Sequence, residues 1–142
     1  MSVGKELTIK SILTDAVKRG ASDLHFSVGN NPILRIYDQL ISLDDQEIIT
    51  QEFMQEFVDF LLDDYKKNKL LTNREIVLAY NFDNNLRFKI NIFYQKGFLS
   101  VSLRYIPYQV PTLESLKLNS ILSKLVKRKN GLIIVSGPFG SG

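Results

Sequence analysis

Apolar and polar positions alternate in two distinct rhythms along this chain, and the rhythm assigns most of its elements. Ile9, Ile12, Leu13, Ala16 and Val17 fall at i, i+3, i+4, i+7 and i+8, one stripe of a helix running from about Lys5 to Arg19. Lys18 and Arg19 suit its C-terminal turn, and Gly20 supplies the stop. The period then drops to two: Leu24, Phe26 and Val28 alternate with polar neighbours, a half-buried strand over Ser22 to Val28. Gly29-Asn30-Asn31-Pro32 is turn chemistry, Ile33 to Tyr37 resumes extended chain, and Leu40 to Leu43 reads as a short third strand. From Asp44 to Tyr65 the helical period returns, with Ile49, Phe53, Phe57 and Leu61 at spacing four. Asp44 and Asp45 suit its N-terminus and Lys66, Lys67 and Lys69 its C-terminal end, while one helix or two with a break near Phe60 both remain open.

Three strands follow: Glu75 to Phe82, a turn at Asp83-Asn84-Asn85, Leu86 to Gln95, a turn at Lys96-Gly97, and Phe98 to Ile106. In the second of these Leu86, Phe88, Ile90 and Ile92 alternate with Arg87, Lys89 and Asn91. Antiparallel strands following helices indicate an α+β fold, a sheet covered by helices. The texture changes at Ile106-Pro107-Tyr108-Gln109-Val110-Pro111, which reads as an extended linker. Beyond it, Thr112 is a good N-cap for a short helix near Leu113–Leu116, and a longer helix is expected around Ser120–Arg128. Leu132-Ile133-Ile134-Val135 is a continuous apolar run of the kind that forms a buried parallel strand.

Composition narrows the function. The 142 residues are 44% hydrophobic and 23% charged, which excludes a disordered or collagen-like chain. No apolar run approaches the ~20 residues needed to span a bilayer, and the opening MSVGKELTIK lacks the apolar core of a secretory signal. With no cysteine and one histidine, His25, a disulfide framework or a Cys/His metal centre is not expected, and no metal site is assigned. His25, alone on the polar side of its strand, reads as a hydrogen-bonding residue. The net charge of +3 conceals a division: residues 1–64 carry 5 basic and 12 acidic side chains, and residues 65–142 carry 13 basic and 3 acidic. Such a split suits solvated helix faces of opposite sign, or surfaces that meet a phosphate ligand or a neighbouring subunit. The cluster Lys124, Lys127, Arg128 and Lys129 has no interleaved aromatics, so it reads as a solvated helix end, and no nucleic-acid partner is expected.

The apolar run Leu132–Val135 leads into Ser136-Gly137-Pro138-Phe139-Gly140-Ser141-Gly142. A phosphate-binding loop is G-x-x-x-x-G-K followed by Ser or Thr, between a strand and a helix. Gly137 and Gly142 have the spacing of its two glycines, which let successive backbone N–H groups turn toward a phosphate. The lysine and the Mg²⁺-binding hydroxyl of such a loop would fall at positions 143 and 144, after the last residue of this sequence.

Ala21-Ser22-Asp23-Leu24-His25 with Pro32-Ile33-Leu34-Arg35 resembles the A-S-D-L-H and P-x-x-R opening of the type II/IV secretion ATPase superfamily. Arg87 to Gln95 is similar to its R-F-R-x-N-x-F-x-Q strand, Arg104-Tyr105-Ile106-Pro107 to R-x-I-P, and Pro111-Thr112-Leu113-Glu114 to P-T-L-E. Gly131 to Gly142 resembles the strand and Walker A loop, with Phe139 where threonine is usual. Tyr37-Asp38-Gln39 departs from the family's glycine turn. The short lead before Ala21 is most like the pilus retraction (twitching motility) branch.

The resemblance implies a PAS-like N-terminal domain over residues 1–107, an interdomain linker over 108–112, and the start of a RecA-like ATPase domain over 113–142. It implies a homohexameric motor in the cytoplasm, peripheral to the inner membrane, that hydrolyses ATP with Mg²⁺ and acts with an inner-membrane pilus platform protein. Its nucleotide-binding residues would be Gly137, Pro138, Phe139, Gly140, Ser141 and Gly142, with Arg87 and Arg104 reaching the phosphates. Guanidinium groups suit that task because they present a fixed fork of donors. Ending inside the loop, this stretch by itself is expected to be inactive, with no catalytic residue and no bound cofactor. A pilus extension or type II secretion ATPase, and a stand-alone PAS-like interaction module without ATP, are the alternative readings.

Overall fold

A computed structural model describes residues 3–83 and 86–137, with side chains described from Thr8 onward. The chain divides into two units, Met1–Tyr108 and Gln109–Gly142. In the first, α1 (Val3–Lys18) precedes three short strands, β1 (Asp23–Ser27), β2 (Ile33–Ile36) and β3 (Gln39–Ser42). Two helices follow, α2 (Gln51–Leu61) and α3 (Asp64–Asn73), and then the longer strands β4 (Glu75–Asp83), β5 (Leu86–Gln95) and β6 (Phe98–Tyr105). All six strands form one sheet in the order β3-β2-β1-β6-β5-β4, every pairing antiparallel. The N-terminal hairpins therefore join the C-terminal meander through β1 and β6.

The period-two pattern sets which face is covered. Leu24 and Phe26 on β1, Leu34 on β2, Phe88, Ile90 and Ile92 on β5, and Val101 and Leu103 on β6 are all buried. They belong to one core with Ile9, Leu13 and Ala16 of α1, Met54, Phe57 and Leu61 of α2, and Leu70 of α3. Phe26 meets Phe57 edge-on at 5.8 Å, and Phe82 meets Phe88 edge-on at 5.9 Å, the geometry aromatic quadrupoles prefer. The Phe53, Phe57 and Leu61 stripe is thus core, with Phe53 only partly covered.

The acid-rich stretch departs from its expected bounds. Residues 44–50 are turn and irregular chain, and helix begins only where the Thr50 hydroxyl accepts a hydrogen bond from the Phe53 N–H. A second cap, the Asp63 carboxylate accepting from the Lys66 N–H at 2.9 Å, starts α3. The break therefore falls at Leu62-Asp63 rather than near Phe60, and Lys66 and Lys67 lie in the first turn of a new helix rather than at the end of an old one. Acids offset that placement: Asp63 pairs with Lys66, and Asp59 with Lys67 at 2.7 Å. The Tyr37-Asp38 turn closes without glycine, both residues adopting left-handed φ of 46° and 62°, as a two-residue hairpin requires. Asp tolerates this conformation, whereas for Tyr it is strained.

In the second unit two expectations fail. The segment Leu113–Leu116 forms turns rather than a helix, and the expected helix over Ser120–Arg128 shortens to α4 (Ile121–Leu125), while Leu132–Val135, strand-like in its apolar run, is irregular chain. Those four apolar residues are exposed, at 84, 52, 78 and 86%. A parallel-type strand has neither a ladder partner nor a covering layer within this unit's described residues, so the apolar run has nothing to fold against. Pro138, Phe139, Gly140, Ser141 and Gly142, the body of the expected phosphate loop, lie outside the described residues, as do Asn84 and Asn85 of the β4–β5 turn.

Candidate functional site

With α1, α2 and α3 all on one side of the sheet, the opposite face carries the other half of each alternating pattern. Antiparallel register lines these side chains up in rows across the strands. One row runs Arg35 on β2, Asp23 on β1, Arg104 on β6 and Lys89 on β5, each residue paired with the next. The adjoining row contains His25, Ser102 and Asn91. Arg87, two residues before Lys89, lies on the same face, and the Ile106 N–H donates to its carbonyl oxygen at 2.8 Å. Asp23, Lys89, Asn91, Ser102 and Arg104 line a shallow depression together with Val77.

Asp23 organises the first row. Its residue is only 5% exposed although none of α1, α2 and α3 covers its face, because β2 and β6 crowd it from both sides. The Arg104 Nε–H donates to Oδ1 at 2.8 Å, the Ser22 hydroxyl donates to Oδ2 at 2.8 Å, and the Arg35 Nε lies 3.9 Å from Oδ2. Burial alone would raise the Asp23 carboxyl, but the hydrogen bonds from Arg104 and Ser22, and the Arg104 charge, outweigh it and hold the group below the usual carboxylate range. Arg104 is correspondingly held above its ordinary value by the Asp23 hydrogen bond and charge. His25 is lowered, chiefly by burial, with Asp23 opposing and the two arginines reinforcing the shift.

The result is a cationic surface around one buried anion. Arg104 spends its Nε on Asp23, while its side chain stays 66% exposed and its two terminal nitrogens have no partner among the described residues. Arg87 and Lys89 are exposed and, among the described residues, neither forms an ion pair or a side-chain hydrogen bond. Three cationic side chains on neighbouring strands of one face can take a multiply charged anion such as a polyphosphate. Among the described residues no group of three or more His, Cys, Asp or Glu side chains is placed to hold a metal ion.

The sequence-expected site residues are therefore distributed unevenly. Arg87 and Arg104 are brought together on one open sheet face. Gly137 lies in the second unit as exposed irregular chain, and the remaining loop residues are not among those described. Asp23 was legible only as part of a motif. Its pairing with Arg104 spans 81 residues, so no local pattern could assign it a partner.

Comparison with known proteins gives this face a context. No family model matches the chain. It is 29% identical over 136 residues to the type IV pilus ATPase PilU of Pseudomonas aeruginosa, covering 96% of this chain and 35% of that protein. It is 30% identical over 140 residues to the type IV pilus retraction ATPase PilT of the same organism, covering 96% and 39%. A crystal structure of the pilus retraction motor PilT with bound ADP superposes with a TM-score of 0.74 at 32% identity, over 92% of this chain and 38% of that one. The chain thus spans well under half the length of the relatives it matches.

Proposed function

Because the chain belongs to the type II/IV secretion ATPase superfamily, we propose that it forms the N-terminal part of a pilus retraction-type motor ATPase. The observation that carries this reading is the 32% identity, at a TM-score of 0.74, to a retraction motor that binds ADP. In this reading residues 1–107 are a PAS-like N-terminal domain, 108–112 a linker, and 113–142 the start of a RecA-like ATPase domain. The whole protein would be a homohexameric motor in the cytoplasm, at the inner membrane, working on a pilus platform protein to disassemble the pilus. Among the described residues no helix is long and apolar enough to cross a membrane.

The residues present fit a nucleotide's phosphates. Among the described residues Arg104 has a free terminal fork and Arg87 a free guanidinium on the same face, and the two would bind and orient phosphate oxygens whose charge they complement. The backbone N–H groups of Gly137, Pro138, Phe139, Gly140, Ser141 and Gly142 (proline excepted) would cradle the β-phosphate. ATP with Mg²⁺, when bound, supplies the phosphoryl-transfer chemistry that drives the motor. No residue of this stretch is assigned to Mg²⁺ or to proton transfer, so the 142-residue chain alone would neither hydrolyse ATP nor bind it tightly.

Two measurements test the reading. The complete gene product should hydrolyse ATP, and its deletion should abolish twitching; a whole protein without ATPase activity would overturn the motor. Calorimetry on the 142-residue chain should give no micromolar ATP binding. A stoichiometric micromolar isotherm would overturn the inactivity of the isolated chain.

A further inference from the structure

The carboxylate of Asp23 is the least expected group on the open face. It is a nearly fully buried charge on a side of the sheet that none of α1, α2 and α3 covers, and burying an ion in that way is costly unless its partners are well placed. Those partners form a fixed arrangement: strand register sets Asp23 directly opposite Arg104, and the contact is made through Nε, the inner nitrogen of the guanidinium. An arginine held by Nε keeps its plane and direction while Nη1 and Nη2 project beyond the anchor. An arginine held by its terminal fork would instead point that fork at its anchor. The Ser22 hydroxyl and the nearby Arg35 occupy the other carboxylate oxygen, which prevents Asp23 from rotating away from this role.

We propose that Asp23 is a positioning residue for Arg104, holding the guanidinium by Nε so that its terminal fork is aimed outward from the sheet at a phosphate. The inference rests on the reading that Arg104 faces nucleotide phosphate, and assigns to Asp23 no contact with the nucleotide itself. Its charge keeps Arg104 from collapsing onto other acceptors, and its burial keeps water from competing for the same Nε.

The test is a double-mutant cycle in the complete, assembled motor, with ATP as the probe. Arg104→Ala should lower kcat/KM, and Asp23→Ala should lower it by roughly ten- to a hundredfold through misdirection of a retained arginine. In the Arg104→Ala background, Asp23→Ala should have no further effect on kcat/KM. Asp23→Asn, which keeps an oxygen acceptor for Nε, should recover part of the loss. If Arg104→Ala leaves ATP turnover unchanged, the phosphate-facing reading itself fails. If Arg104→Ala is damaging but Asp23→Ala adds its full effect on top, the positioning role alone fails. Should Asp23→Ala not fold, the ¹⁵N-resolved Arg104 Nε–H of the 142-residue chain still decides the matter. Slow exchange with water and a downfield proton shift that Asp23→Asn only partly reduces are expected; fast exchange in the unaltered chain would overturn the proposal.

Discussion

The two units of this chain contain similar apolar runs that meet opposite fates. In β5, Ile90 and Ile92 are fully buried, with β4 and β6 hydrogen-bonded on either side and helices over one face. In the second unit, Ile133 and Ile134 are 52% and 78% exposed in a segment with no strand structure. Hydrophobicity is comparable, so it does not explain the difference. A strand needs a ladder on its edges and a layer on its face, and only the first unit supplies both to its own apolar residues.

The largest expected effect tests that contrast directly. Phe57→Ala should lower the unfolding free energy of the first unit by about 3–5 kcal/mol, the cost of a cavity beneath the sheet. Ile134→Ala should shift the same denaturation midpoint by less than about 0.5 kcal/mol. Comparable losses from both would mean that the second run is packed after all. Next in size is Asp23→Asn, expected to cost about 1.5–3 kcal/mol for the loss of charge-assisted hydrogen bonds, measured in urea. Removing a helix cap is smaller: Thr50→Ala should cost about 1 kcal/mol, Asp63→Ala should also lower the urea midpoint, and an unchanged midpoint for Asp63→Ala would mean α3 does not depend on its own start signal.

Acid titration sharpens the comparison further. The fold holds the Asp23 carboxyl below its unfolded value of about 3.9, so its contribution is complete above that pH and is lost as pH falls through the folded value. The fold also holds His25 below its unfolded value of about 6.5, so stability declines as pH drops beneath that point and the unfolded chain takes up the proton. His25→Gln should flatten the stability profile below about pH 6.5, and Asp23→Asn should flatten it at lower pH; an unchanged profile in either variant removes that group from the account. The smallest expected effect concerns amides: those of Leu132–Val135 should exchange near the unfolded rate while those of β5 are protected, and strong protection of both in a monomer would erase the contrast.

The elements were largely legible wherever local chemistry decides them. Alternation at Leu86, Phe88, Ile90 and Ile92 fixed both the strand and the face it buries, and the spacing of Ile9, Ile12, Leu13 and Ala16 did the same for α1. The start of α2 was less legible, because Asp44 and Asp45 have the chemistry of a helix N-terminus, yet the chain makes turns there and Thr50 does the capping. The split into two helices was open beside a single helix, and its position at Leu62-Asp63 was not legible because the apolar spacing runs on across it and only the Asp63 cap ends the register.

What the amino-acid sequence determined by itself is therefore the set of strands and helices of the first unit, the side of each that is apolar, and the motifs that relate it to pilus motors. Arg87 and Arg104 were readable as candidates from those motifs. Only the tertiary structure decided that Asp23 meets Arg104 through Nε across 81 residues, with Arg35 beside it and Lys89 next in the row. It also decided that Leu132–Val135, strand-like in composition, stays unpaired among the described residues. Both outcomes share one cause. Periodicity is a property of a single segment, whereas register and strand pairing are properties of two, and a sequence pattern does not say which segment will lie alongside.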